Sequence, residues 1–342
     1  MWTIANTTPY AVEAQLLRDA SGAETLAVVT KGSFVIRADG QCCPDCEQTP
    51  IVQVPQYAGV PACSSLLRDT DFVLHKPTTD VLVSGHAYAG APRRTSTMVT
   101  MEVGPIAKRL RVWGDRHWER SALRWSASAP LPFERVPLLY ERAFGGSAGA
   151  ARADGIWSCD PRNPIGRGFK AAELRREGDP LPNIEPEDGR QAPAGLGAIS
   201  RHWSPRVELA GTHNEAWRSK RFPLPPEDFD PRFYNAAPSD QQPRQHLIGG
   251  EPAYLENLTP DGSLRFVIPK VWLTLNTTIG LDVEGHRAQL HTLVLVPDER
   301  RVEMTWVSTL RCHGRATRIR RIHVREKPRV GLGAQMRRRA GA

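Results

Sequence analysis

Four groups of residues in this chain have types and spacings that could do chemistry. Gly145-Gly-Ser147-Ala-Gly149 fits the Gly-x-Ser-x-Gly pattern, in which a serine nucleophile sits on a strained turn from a strand into a helix. Cys43-Pro-Asp-Cys46, with Cys42 beside it, has the spacing of half a zinc knuckle or of a redox pair. Asp115 and His117, two residues apart on an extended segment, would face the same side and could share a proton. Asn163-Pro-Ile-Gly-Arg-Gly168 places a guanidinium with five fixed donors between two glycines, which suits either a packed Ω-loop with Arg167 paired internally or the close approach of a partner.

Each chemistry also demands a setting, and the first three lack theirs. A serine elbow needs a buried parallel strand before it and a helix after it, whereas Ser147 is followed by Ala-Gly-Ala-Ala-Arg-Ala-Asp-Gly. A structural zinc site needs four ligands, so Cys42, Cys43 and Cys46 would have to recruit Cys63 or a histidine; a redox pair needs a βαβ unit. The cysteines therefore read as turn thiols. Asp115 reads as a turn cap paired with Arg116. His75, His86, His117, His202 and His213 are scattered, without a metalloprotease spacing, and neither a phosphate-binding lysine loop nor a dinucleotide fingerprint is present. The expectation is no catalytic residue, no metal and no cofactor. The enzyme alternative is a hydrolase using Asp115 and His117, or Ser147.

The elements around these groups are strands. Tyr10 to Leu17, a turn through Asp19, Ser21 and Gly22, and Leu26 to Ile36 predict a hairpin. Asp80 to Ala87, Ser96 to Val103 and Lys108 to Trp113 follow, the last alternating Leu110 and Val112 with Arg109 and Arg111. Near the C-terminal end, Leu264 to Ile268, Val271 to Leu275, and a hairpin of Gln289–Val296 with Arg301–Leu310 continue the pattern. Thr317 to Val324 reads as a charged edge strand or bulge. Between these ends, residues 130–260 hold 18 of the 29 prolines, which forbids long helices and central strands. Only Gly168 to Glu177 and Asn214 to Lys220 look helical. The fold class expected is mainly β, with antiparallel sheets, sandwich-like or an open barrel, and a long Pro/Gly/Trp-rich irregular insertion. Residues 1–328 read as one composite domain (1–125 N-terminal strands, 126–260 insertion, 261–328 C-terminal strands), and 329–342 as a basic tail.

The formal net charge of +8 is uneven. Residues 311–342 carry +10 and the other 310 sum to −2, so the basicity belongs to a terminal strand and tail. A solvated or edge-strand role follows, not nucleic-acid contact. No basic-then-apolar N-terminal run reads as a signal peptide, and no window approaches 18 apolar residues; with unpaired cysteine spacing, a reducing cytoplasm is expected.

The region 111–251 strings together phrases anchored by Trp, Gly and Pro: Gly-Asp-Arg-His-Trp (114–118), Glu-Arg-Ala-Phe-Gly-Gly (141–146), Asn-Pro-Ile-Gly-Arg-Gly (163–168), Leu-Pro-Asn-Ile-Glu (181–185), Ala-Gly-Thr-His-Asn-Glu-Ala-Trp (210–217), Asn-Ala-Ala-Pro-Ser-Asp-Gln-Gln (235–242) and Gly-Gly-Glu (249–251). Together with Asn6-Thr-Thr-Pro-Tyr10 and Lys76-Pro-Thr-Thr-Asp80, this combination resembles the bacterial domain of unknown function 2169 family. The resemblance runs from about Asn6 to Glu251 by motif and onward by strand pattern. It implies association with type VI secretion: a cytoplasmic adaptor or chaperone that stabilises a secreted effector and helps load it on the spike or its PAAR-like tip protein. No active site is implied. The partners expected are proteins, without nucleic acid, membrane or small-molecule substrate, and a structural part of the secretion apparatus is the third possibility. The protein-binding candidates are the matching positions Asn163, Pro164, Gly166, Arg167, Gly168, Trp203 and Trp217, with Phe169 beside them as an apolar anchor.

Overall fold

The β-branched run from Glu24 to Ile36 forms a thirteen-residue strand, and it organises the largest sheet. On one side it pairs antiparallel with Ala11–Arg18, as the predicted hairpin requires, and with the short strand Cys42–Pro44. On the other it pairs with Arg301–Arg311, which pairs in turn with Ala288–Val296. Asp80–Val83 closes this sheet by a parallel pairing. A computed structural model describes residues 2–90, 93–122, 124–151, 157–170 and 174–327. The fold is mainly β, 42% strand and 9% helix, with several antiparallel sheets and no closed barrel among the described residues.

A five-stranded antiparallel sheet runs in the order Ile184–Pro186, Ile106–Trp113, Ser96–Val103, Pro252–Glu256, Ser263–Val267. Leu110 and Val112 point inward at 2% and 0% exposure, so the alternation read in the sequence sets which face is buried. A four-stranded sheet runs Thr3–Asn6, Ile319–Glu326, Leu273–Ile279, Asp282–His286, its first pairing parallel.

One face of the two longest strands joins these sheets. Phe34 and Ile36, with Val302, Met304 and Trp306, share a core with Val99, Met101, Leu110 and Leu255 of the five-stranded sheet. Further along the same face, Leu26 and Val28 pack with Leu275, Ile279, Ile322 and Val324 of the four-stranded sheet. The opposite face is covered by residues 45–72 through a polar layer. There Asp71 accepts from Lys31 Nζ at 3.2 Å, Thr305 Oγ1 at 3.2 Å and the Val52 backbone N–H at 2.8 Å.

Two expectations need correction. Ile319–Glu326 is an interior strand of its sheet, not an edge; its arginines stay solvated because they occupy one face, and the predicted bulge appears as a register shift beside Ile279. Gly168 to Lys170 are not helical, because Arg167 and Gly168 pair with Phe144 and Gly145 instead; residues 171–173 lie outside the described residues, and Leu174 lies in a 3-10 turn. The other helical candidate does form: Glu215–Lys220 is an α-helix whose start is capped by Asn214 Oδ1, accepting from Trp217 N at 2.9 Å. The basic tail 329–342 lies outside the described residues.

Burial makes two histidines acid-sensitive. His291, 2% exposed, is held well below the ordinary imidazole range by desolvation, then by the nearby Lys76 and His246, and burial takes His286 down to about 4. Both are neutral in the fold and become protonated in the unfolded chain below about pH 6.5. Stability is thus unaffected above that pH and falls as the pH drops towards the folded values. From pH 7 to pH 5, His286 alone should remove about 2 kcal/mol. Thermal melts across this range should show a falling Tm. A flat profile would contradict it.

Candidate docking site around the Asn163 loop

The loop 163–169 is folded back onto the segment 140–146 so tightly that glycines are required on both sides. Phe144–Gly145 pairs in parallel with Arg167–Gly168, and Asn163, fully buried, donates from Nδ2 to the carbonyls of Tyr140 (2.8 Å) and Phe144 (2.9 Å). The Asn163 carbonyl accepts from Gly146 N at 2.7 Å, the Ala143 carbonyl from Arg167 N at 2.9 Å and the Gly145 carbonyl from Phe169 N at 3.0 Å. At Gly146, with φ +99°, a Cβ would sit 2.3 Å from the Gly166 carbonyl oxygen; at Gly166 it would sit 2.4 Å from Asn163 Nδ2. The close approach that these glycines permit is therefore that of the chain to itself.

Arg167 is half-buried. Its Nη1 donates to Asn183 Oδ1 at 3.2 Å, and the same oxygen accepts from Arg142 Nη1 at 3.2 Å. Burial, then the neighbouring Arg142 charge, lowers the Arg167 pKa. Asn183 passes the network on, donating to Trp113 O at 3.1 Å and to Asp115 Oδ1 at 2.9 Å. Asp115 also accepts from Arg142, at 3.3 Å, rather than pairing with Arg116 as the sequence suggested. Arg116 instead reaches Glu185 at 2.6 Å and lies over the Trp113 ring at 4.6 Å.

A cleft of about 140 Å³ opens beside this knot, lined by Trp118, Ser147, Arg167, Phe169, Lys170 and Pro180 among others. Arg175 stacks on Trp118 at 3.8 Å, and Lys170 pairs with Asp179 at 2.9 Å, so the walls are held in place by their own contacts. Ser147 lies in a strand, Ser147–Ala151, paired with Trp157–Cys159, not on a turn into a helix. Among the described residues its hydroxyl meets no histidine or carboxylate, and His117 is paired with Glu119 at 3.8 Å.

The remaining candidates separate. Pro164 lies in the loop with Gly166 and Gly168. Trp203 is 1% exposed and packs edge-on against Tyr140 at 5.5 Å, so it holds the core and offers no surface, a correction forced by its apolar bulk. Trp217 is half-buried in its short helix, against His213 and Phe222, with Nε1 donating to Leu224 O at 2.8 Å. The cysteines are free, with Cys42 and Cys43 on a strand and burial pushing the Cys42 thiol to about 12. No group of three or more metal-ligating side chains forms among the described residues.

The sequence reading missed what the polar motif residues do. Asp80, fully buried, accepts from Lys76 Nζ (2.6 Å), Asn235 Nδ2 (2.9 Å) and the backbone of Ala236 (2.8 Å) and Ala237 (3.1 Å). Gln241 donates to the Val81 and Leu196 carbonyls at 2.7 and 3.0 Å. Asp69 holds Arg206 at 2.8 Å and Arg201 at 2.9 Å. Only Asp80, at the head of the apolar run Val81-Leu-Val83, carried a signal in the sequence; Asp69 and Gln241 stand among polar neighbours, and their scaffold bonds span long stretches of sequence.

No helix of the described residues is long and apolar enough to cross a membrane. No curated protein and no solved structure matches the chain. The family model described as "Uncharacterized protein conserved in bacteria (DUF2169)" matches residues 21–307, a span that takes in most of the long-strand sheet, the Asp80 anchor and the loop at Asn163. The chain belongs to that bacterial domain family.

Proposed function

We propose that the protein is a cytoplasmic adaptor or chaperone that binds and stabilises a type VI secretion effector and helps load it on the spike or its PAAR-like tip protein. The observation that carries this reading is the locked cleft beside the Asn163 loop. A frame fixed by its own hydrogen bonds loses little freedom when it is filled. Its apolar lining, Trp118 and Phe169, is of the residue types that dominate protein interfaces, and Arg167 holds the wall in place from within. At about 140 Å³ it has room for one large side chain, and small-molecule sites run larger, from about 300 Å³.

The test is binding to the products of neighbouring genes, measured beside stability. Phe169→Ala should weaken the complex by about 1–3 kcal/mol with little change in Tm, as expected for an anchor at an interface. Arg167→Ala should do the reverse. It removes a bond to the buried Asn183, so stability should fall by about 1–2 kcal/mol and binding only as folded protein is lost. Unchanged affinity for Phe169→Ala would remove the cleft from the interface. Toxicity of the chain expressed alone, relieved by Ser147→Ala or His117→Ala, would favour the hydrolase, and recovery of the protein outside the cell with the spike would favour a structural component.

A further inference from the structure

The four-stranded sheet has two faces of different chemistry. Its inner face carries Leu275, Ile279, Ile322 and Val324 into the core, and the carboxylates beside it, Asp282 and Glu284, are paired with Arg315 at 3.4 and 2.6 Å. The outer face is read from the register. Arg321, His323 and Arg325 lie opposite Thr278, Asn276 and Thr274, and Lys327 donates its backbone N–H to Trp272 O at 2.8 Å, continuing the ladder by one step. Because alternate residues share a face, the side chains of Arg321, His323 and Arg325 form a line along one strand, about 6.6 Å apart, and Lys327 follows just past its end. Arg321, Arg325 and Lys327 are exposed, and so is Arg320 at the bulge. Among the described residues none of these four enters an ion pair, and no acidic side chain occupies the outer positions of the paired strands. Trp272, 51% exposed, stands at one end with Lys270 over its ring at 5.4 Å.

We propose that this face is a docking strip for an acidic protein segment, bound extended along Ile319–Glu326. The strip is a single strand wide, flanked by threonine and asparagine, and its spacing matches carboxylates on every second residue of an extended chain. Trp272 supplies the one aromatic anchor, suited to an apolar residue at the end of that segment. A single-stranded nucleic acid would call for a succession of stacking rings, whereas this face carries the Trp272 indole at one end and a single imidazole, His323, among arginines. The inference stands apart from the proposed secretion role, since it concerns a second surface and holds whatever the partner's destination.

The experiment is fluorescence anisotropy on the full chain at low salt. Three labelled probes of about twelve residues are compared: a peptide alternating Glu with Thr and ending in Leu, the same peptide with Gln for Glu, and an oligothymidylate. The acidic peptide should bind, and the Gln peptide should not. R321S/R325S should weaken the acidic peptide about tenfold and Trp272→Ala about threefold, with Tm unchanged because these side chains are exposed, and rising salt should weaken it further. Binding of the acidic peptide unaffected by R321S/R325S would place its site elsewhere and overturn the proposal. So would absence of binding, or an oligothymidylate that binds more tightly and loses affinity in the same variant.

Discussion

Asp80→Ala should cost about 3–5 kcal/mol, lowering Tm by roughly 10 °C or leaving no folded protein at 37 °C. The carboxylate is fully buried and terminates four donors: the Lys76 ammonium, the Asn235 amide and two consecutive backbone N–H groups. Removing it strands a buried ammonium and three N–H groups at once, and each unmet donor costs far more than a surface contact gains. Lys76→Met should be milder, because Asp80 keeps three N–H donors that stabilise its charge. The order is the test. Chemical denaturation showing Lys76→Met as damaging as Asp80→Ala would mean that the ion pair, not the capping of the Asn235 segment, is what matters.

Gly146→Ala is the second large effect, and it separates two kinds of glycine. The new Cβ would lie 2.3 Å from the Gly166 carbonyl oxygen, on a backbone with φ +99°, so both strain and collision apply. A loss of more than about 3 kcal/mol is expected, together with the cleft, since its floor and one wall are the two pieces being forced apart. Gly178 provides the control. It has φ +85° with nothing within 4 Å of a built Cβ, so Gly178→Ala carries strain alone and should cost about 1 kcal/mol. Equal losses in urea titrations of the two variants would show that the knot at Asn163 has slack.

Both predictions rest on residues whose presence was plain in the sequence and whose purpose was not. Strand placement was legible where alternation or β-branching was strong: Ser96–Val103, Ile106–Trp113 and the Ala288–Arg311 hairpin lie where their patterns put them. The status of Ile319–Glu326 was misread because exposed arginines mark a solvated face as readily as an edge, and sequence carries no sign of which neighbour pairs with a strand. The loop glycines were recognised as sites of close approach, but whether the visitor is a partner or the chain's own Asn163 depends on contacts about twenty residues apart. Asn183 and Gln241 looked like loop polar residues and Asp80 like the first residue of a strand; only the fold shows the three bonded to segments 41 to 160 residues away.

The pairing of Glu24–Ile36 with Arg301–Arg311 has a consequence for synthesis on the ribosome. Gly32 lies opposite Met304, so the longest strand waits for a neighbour made about 270 residues later. At bacterial elongation rates of roughly 5–20 residues per second, that interval is roughly 15–50 s. Throughout it, the nascent hairpin exposes Leu26, Val28, Phe34 and Ile36 along one face, with the edge that Arg301–Arg311 will occupy still unpaired. Yield during expression should therefore depend on holding chaperones and on growth temperature more steeply than the finished protein's resistance to heat would suggest.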